Sequence, residues 1–510
     1  MSARSADALG SLMVNRKAGL GVLNLLVGKM LRAPLWLLIS ALLARVLGPE
    51  GLGSWSMILA AGMLINQLLL HWTQSITQRF GRVEWLDSGS LNSILSARLP
   101  LLAAGALLAV ILLFVNPFDW QQRFFGIDNG GTHVLLAMLA FWCMAETQSL
   151  QQVRERFAYL AWAPIAADLV LIGAIAVLAL TPILRGATFS EQLQLLLSAM
   201  AGGWLLWLVW ELRCAGFRPR LRTFDWSRLP PLMAFAIPLV PGFLVGYLAE
   251  WCDYFLIRHF HGEYEVGLFH PAYQYLLILI GLPTALVSVL LPRAVQHFEK
   301  QGAAAVDLLV TRDAPRFALA WGMLILIPLA VLPGIFLLLV GDEFIASASL
   351  LGIMLAVVPG AIAQHLFGIV YFLQGRLLIS TFVFFLLKLL VNAAISASLL
   401  PLIGVGGSAF GVVFSYMILQ WLFVIFAVPG HRPSARFMGV LLWCQASGLL
   451  LCLFDGMILR LLMGSLVLML SLLFLRFTPI FDAREIAAVL PVWLKPHERL
   501  LLSWLARPSN

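Results

Sequence analysis

The sequence predicts an all-α polytopic membrane protein with about fourteen transmembrane helices, arranged as two pseudo-symmetric six-helix bundles around a central cavity, plus two extra C-terminal helices. Three observations predict this: the apolar composition, the distribution of basic residues between alternate loops, and a glycine hairpin that occurs twice. Of 510 residues, 61% are hydrophobic and 11% charged, against roughly 45–50% and 25% in soluble domains. That balance excludes a water-soluble fold. It also leaves no extramembrane stretch long enough for a Rossmann unit, a kinase lobe or a nucleic-acid module.

A window of about 19 residues places twelve spans near 18–46, 52–74, 96–116, 133–154, 159–182, 191–213, 231–258, 266–292, 314–340, 346–373, 378–400 and 404–428. Two more, near 436–454 and 457–476, are separated by Phe454, Asp455 and Gly456. Short cytoplasmic loops collect Lys and Arg. With the N-terminus in the cytoplasm, 25 of the 33 basic residues fall on that side and four (Arg45, Arg123, Arg185, Arg460) on the other. Both termini are therefore expected in the cytoplasm, with the chain in a bacterial inner membrane. This asymmetry accounts for the net charge of +8 without nucleic acid.

The N-terminal segment lacks the layout of a cleaved signal peptide. Cys143, Cys214, Cys252, Cys444 and Cys452 form no CxxC pair and read as small core residues. Beyond Phe477 the tail alternates apolar clusters with Arg484, Lys495, Arg499 and Arg507, as a helix pair lying on the cytoplasmic membrane surface would.

The first two spans meet at Gly48-Pro49-Glu50-Gly51-Leu52-Gly53-Ser54-Trp55, and the seventh and eighth at Gly262-Glu263-Tyr264-Glu265-Val266-Gly267-Leu268-Phe269. Both read Gly-x-x-x-aliphatic-Gly-x-aromatic, 214 residues apart. An offset of six spans preserves orientation in the membrane, which predicts parallel repeats about an axis along the membrane normal, an architecture of transporters. The expected divisions are an N-terminal lobe over 1–225, a C-terminal lobe over 226–430, and an appendage over 431–510.

The segment from Ala44 to Gly53 resembles the first hairpin of Wzx-type polysaccharide flippases, a branch of the multidrug/oligosaccharidyl-lipid/polysaccharide exporter superfamily. Further matches follow in family order: Asp253-Tyr254-Phe255-Leu256 through Ala272-Tyr273, Leu291-Pro292-Arg293, Gly341-Asp342-Glu343-Phe344, and Leu400-Pro401 through Ala409. The resemblance implies a flippase that moves an undecaprenyl-pyrophosphate-linked oligosaccharide from the cytoplasmic to the periplasmic leaflet by alternating access. Its partners would be the lipid-linked glycan, membrane lipids and glycan-assembly enzymes such as a polymerase. Alternatives within the superfamily are a lipid II flippase and a drug or cation antiporter. A membrane glycan polymerase or ligase is the competing class. It is disfavoured because the longest outer loop, near 116–132, offers only Asp119, Arg123 and Asp128.

Charges at membrane depth are costly and usually face a cavity or a partner. Lys29 and Arg32 lie three apart on one face of the first span, near the midplane. With Lys388 and Arg258 they are the candidate substrate-binding cations. Glu250, Asp253, Glu146 and Asp168 are the candidate coupling acids, for a proton or sodium ion. The alternative for all eight is internal salt bridging. Buried His133, His270 and His365 have no second ligand at metal spacing, and no cofactor is expected. Trp36, Trp251 and Tyr247 are candidates for stacking on sugar rings, and Pro238, Pro241, Pro283, Pro328, Pro333 and Pro359 for helix bends.

Overall fold

The computed structural model describes every residue except 1–15, 128–129, 182–185, 218–228, 303, 305, 307–309, 311–313, 375, 377–378, 427–434, 453, 455, 478–480, 483–505 and 508–510. At some helical positions, including 29 and 291–293, only the backbone is described.

Helix α1 (Arg16–Leu69) is bent at Gly48, whose φ of 67° and ψ of 178° are not helical, so its two legs supply the first two spans. Glycine adopts positive φ without strain, and Pro49 then suits the first turn of the second leg. There follow α2 (Asn92–Val115), α3 (Gly131–Val153), α4 (Phe157–Leu180) and α5 (Phe189–Cys214). A capping box opens α5, with Thr188 and Glu191 each bonded to the other's backbone.

Next come α6 (Leu229–His261), with a 3₁₀ step at Ile237–Leu239 around Pro238, and α7 (Glu263–Gln301). They are followed by α8 (Ala314–Val340), α9 (Ile345–Met354) and α10 (Ala361–Leu373). The chain continues through α11 (Phe384–Ile403), α12 (Gly406–Ile425), α13 (Ala435–Cys452) and α14 (Met457–Phe477).

Among the described residues, nine helices are long and apolar enough to cross a membrane. The bent pair Asp342–Val357 and Ala361–Tyr371, which meets at 46°, makes a tenth. The protein is an all-α, multi-pass membrane protein. Most of the tail lies outside the described residues. The pieces described there, Phe481–Asp482 and Ala506–Arg507, pair as a short parallel ladder rather than as helix.

The chain forms two compact units, Met1–Gln274 with Thr381–Ser408, and Tyr275–Ser380 with Ala409–Asn510. The first unit groups α6 and α11 with the first five helices. In the first unit α1 packs on α3, α4 and α6, α5 on α3 and α4, and α6 on α11. Tyr247 Oη on α6 donates to the Ala60 carbonyl of α1 at 2.9 Å, and His261 Nε2 at the end of α6 lies 3.0 Å from the Leu400 carbonyl of α11. In the second unit α8 packs on α9, α10, α13 and α14.

Lipid gives no hydrophobic reward for helix pairing, so close van der Waals approach at small residues holds the helices together. A Cβ at Gly62 would stand 2.7 Å from the Ala137 Cβ, and one at Gly28 would stand 2.5 Å from the Ala161 Cβ. Gly62→Val should therefore destabilise the first unit by about 1–3 kcal/mol through overpacking. Gly173→Val, where a Cβ meets nothing within 4 Å, should not. Thermal unfolding of the detergent-solubilised protein, followed by gel filtration, compares the two.

Candidate functional site

On α1, Arg32 donates from Nε to Asp168 Oδ2 on α4 at 2.8 Å. Asp168 is buried at 5% exposure while Arg32 keeps 27%. The Arg32 guanidinium carbon also lies 5.8 Å from the Trp36 ring centroid, one turn along, and Trp36 is half-buried. Asp168 takes the Nε proton, and the terminal nitrogens carry the remaining four of the five guanidinium donors. Lys29 stands one turn before Arg32 on the α1 backbone, and its side chain lies outside the described residues.

Glu146 is bound differently. Arg98 Nη1 and Nη2 meet its two carboxylate oxygens at 2.6 and 2.9 Å, and Arg98 also donates to Thr73 Oγ1 at 2.8 Å and to the Thr77 hydroxyl. Both side chains are almost fully buried. Arg98 sits inside α2, which begins at Asn92, and a desolvated arginine there requires the carboxylate opposite. Near the end of α3, Arg154 pairs with the buried Glu211 at 2.6 Å.

A third polar cluster joins α6 to α11. Asp253, 1% exposed, accepts Asn392 Nδ2 at 2.6 Å and Ser396 Oγ at 2.8 Å. Lys388, Asn392 and Ser396 recur every four residues and so share one face of α11. Lys388 is buried, donates to the Ala249 carbonyl at 3.2 Å, and its charge acts on both Glu250 and Asp253. The structure thus gathers Glu250, Asp253 and Lys388 into one cluster, with Glu250 half-buried. Asn392 and Ser396 were missed by the sequence reading, although their spacing from Lys388 was a usable signal.

Arg258, a candidate substrate-binding cation, pairs with Glu263 at 3.6 Å. Tyr247 and Trp251 are core residues of this unit, stacked at a centroid distance of 6.3 Å. Of the three aromatic candidates, only Trp36 keeps a partly open face. His270 is buried and bonded to Tyr254 at 3.0 Å, whereas His133 is half-exposed and His365 half-buried, contrary to the expectation of three buried histidines. Arg460, expected in an outer loop, is buried on α14 and donates to the Phe454 carbonyl at 2.7 Å. No group of three or more His, Cys, Asp or Glu suited to a metal ion occurs among the described residues.

The chain is helical and multi-pass, with charges paired inside its apolar helices. Residues 19–298 match the family described as polysaccharide biosynthesis protein. This is more than half of the chain, and the chain belongs to that family. The resemblance drawn from the hairpin residues agrees with it.

Among solved structures, the chain is similar to a lipid II flippase, MurJ, in an inward closed conformation, at a TM-score of 0.68 and 13% identity over 89% of this chain and 98% of that one. It is similar also to an inward-facing multidrug resistance MATE family transporter of the MOP superfamily, at 0.57 and 14% over 82% and 98%. A mutant of the Vibrio cholerae MATE transporter VcmN aligns at 0.55 and 14% over 83% and 98%. No curated protein matches the chain. At these identities the likeness is one of fold, and the fold is that of flippases and transporters.

Removing one partner of a buried ion pair strands the other charge, at about 3–5 kcal/mol, whereas apolar replacement of both is often neutral. Arg98→Leu and Glu146→Leu should each lower the thermal midpoint sharply, and the double variant should recover most of the loss. Additive losses in a double-mutant cycle would contradict the pairing.

Proposed function

We propose that the protein is a flippase that moves an undecaprenyl-pyrophosphate-linked oligosaccharide, a repeat unit of exopolysaccharide, O-antigen or capsule, from the cytoplasmic to the periplasmic leaflet by alternating access. The observation that carries this reading is the partly exposed Arg32 on α1, held by a buried carboxylate and flanked by Trp36, in a member of a polysaccharide biosynthesis family. The pyrophosphate is the dianionic junction between a lipid tail that can stay in the bilayer and a glycan that cannot. Moving it inward requires replacing its water. Arginine does this with directed charge-assisted hydrogen bonds, Lys29 adds a second cation, and an adjacent indole offers a face to a sugar ring.

The repeat gives this proposal its mechanical frame, with lobes over 1–225 and 226–430 rocking against each other, both termini in the cytoplasm and the glycine hairpins at the outer face. A lipid II flippase is the second reading, supported by the fold likeness to one. It differs only in the glycan carried. The antiporter reading rests on the MATE folds alone.

Purified protein in vesicles, supplied with a labelled lipid-linked oligosaccharide, tests this through the fraction of glycan that becomes accessible to an external glycosidase. Lys29→Gln with Arg32→Gln should reduce flipping at least tenfold without loss of insertion. The exchange Arg32→Asp with Asp168→Arg restores the pair but moves the cation to α4, and should remain defective. Full activity in the exchanged protein would make the pair purely structural. New glycosidic bonds formed by the native protein would place it among polymerases.

For coupling, we assign the ion-sensitive group to the Glu250–Asp253–Lys388 cluster, where a carboxylate is held by neutral donors from Asn392 and Ser396 beside a buried ammonium. With an imposed proton or sodium gradient, the one that accelerates the native protein identifies the ion. Asp253→Asn should abolish that acceleration, Glu250→Gln should weaken it, and Asp168→Asn should leave it in place while lowering the basal rate.

A further inference from the structure

The turn between α3 and α4 carries more positive charge than its own carboxylates answer. Arg154 Nη1 donates to Glu211 Oε2 at 2.6 Å, whereas Arg156 Nη1 stands 3.9 Å from the same oxygen, too far for a hydrogen bond. Arg82 pairs with Glu155 at 2.5 Å and donates to the Val153 carbonyl at 2.8 Å. Among the described residues, three guanidinium groups therefore share two carboxylates, which leaves one positive charge over. Glu84 is committed elsewhere, accepting the Ser93 and Ile94 amides at the start of α2, both at 2.7 Å.

The surplus charge is poorly solvated. Arg154 keeps 2% of its side-chain exposure and Glu211 keeps none. Burial works against the Arg154 charge, the neighbouring Arg156 charge adds to that, and Glu211 offsets only part of it. Arg154 Nε and Arg156 Nη1 are both shut off from water without a hydrogen-bond partner. Arg156 is the open member, at 31%, and its guanidinium carbon lies 5.0 Å from the Tyr159 ring centroid.

Two further features say what would complete the site. Arg156 is the residue that precedes α4, whose first turn has no side-chain cap, so the unsatisfied N–H groups there add to the positive field of the arginines. The starts of α2 and α5, by contrast, are each met by a carboxylate, from Glu84 and Glu191. Around the turn stand the exposed rings of Tyr159 and Trp162 on α4 and of Trp210 near the end of α5. Tyr and Trp gather where lipid tails give way to headgroups, which is the depth of lipid phosphates.

We propose that Arg154, Arg156 and the first turn of α4 form a binding site for the phosphate of an anionic lipid headgroup, in the leaflet that the basic loops face. A phosphodiester there takes charge-assisted hydrogen bonds from Arg156 and the free amides, and balances the surplus charge, while its tails lie beside Trp162 and Trp210. The site is separate from Arg32 and Asp168. It requires no glycan and no transport cycle.

Thermal unfolding in an uncharged detergent, with phosphatidylglycerol or phosphatidylcholine titrated in, tests the site. The native protein should gain a few degrees from phosphatidylglycerol, saturably, and little from phosphatidylcholine. Arg156→Gln should be at least as stable as the native protein without lipid, because Arg154 then has Glu211 to itself, and should lose the phosphatidylglycerol gain. Arg376→Gln removes one positive charge elsewhere, from a half-buried side chain near the Phe426 carbonyl, and should keep the gain. No gain in the native protein, or equal gains in the two variants, overturns the proposal.

If Arg156→Gln does not insert, Arg156→Lys serves, since it keeps the charge but not the planar fork. It should weaken the apparent affinity for phosphatidylglycerol severalfold, and native affinity would count against the site. Mass spectrometry of the intact protein counts the lipid directly, and Arg156→Gln should retain one phosphatidylglycerol fewer than the native protein. An equal count contradicts the site. Inorganic phosphate at matched ionic strength separates the sources: it should give little stabilisation, and a gain equal to that from the lipid would overturn the lipid assignment in favour of a free phosphate.

Discussion

A bilayer interior has no water to take over a hydrogen bond, so every charge inside it must be answered by another group of the protein. The ionisable groups of this chain fall into a graded series by how completely that is done. Arg98 and Glu146 satisfy each other bidentately, with two threonine hydroxyls adding bonds. Such a pair fixes α2 to α3 and offers nothing to a ligand. Asp253 is answered chiefly by neutral donors, with the Lys388 charge nearby, so its charge balance can change without breaking an ion pair. Arg32 is answered through one nitrogen and remains partly open.

The same constraint governs the backbone. Helix breaks free carbonyls, and in the second unit those at the break before α10 are taken by side chains. Gln420 Nε2 donates to Val357 O and Trp321 Nε1 to Val358 O, both at 3.0 Å, next to Pro359. Gln420 is held in turn by Gln445, which also accepts from Trp421. A bend of 46° is thereby fixed in place by satisfied groups, and the proline marks its position without alone supporting it.

In the first unit the repeat and the polar clusters meet along α6. This helix bears Tyr247, bonded to α1, then Asp253, bonded to α11, and near its end Arg258, paired with Glu263. Asp253 lies less than two turns, at 3.6 residues per turn, from Arg258, which pairs with Glu263. The partly open Arg32 lies on α1, the helix whose second leg brings Gly53 against the backbone of Glu263 and Gly267 at the start of α7. The Arg32–Asp168 pair and the Asp253 cluster thus lie on adjoining helices of the first unit, which also holds the buried pairs Arg98–Glu146 and Arg154–Glu211.

The sequence by itself determined the all-helical membrane class, the spans and the repeated hairpin, because each is written in local runs of residue type: apolar windows, basic loops, and glycines where a Cβ cannot fit. It also named half of the buried charges found among the described residues, Glu146, Asp168, Asp253 and Lys388, since an ionisable residue in an apolar run is conspicuous without a structure. What it could not assign was partnership. Arg98 belongs to Glu146, Asp168 to Arg32 and Arg258 to Glu263, across separations of 48, 136 and five residues. Only the tertiary structure decided these, and with them which residues are core, as Tyr247 and Trp251 are, and which stay open, as Trp36 does. The physical reason is that depth in the membrane is fixed by position along one helix, whereas a partner is fixed by the rotation and register of a second helix, which packing sets and the linear pattern does not record.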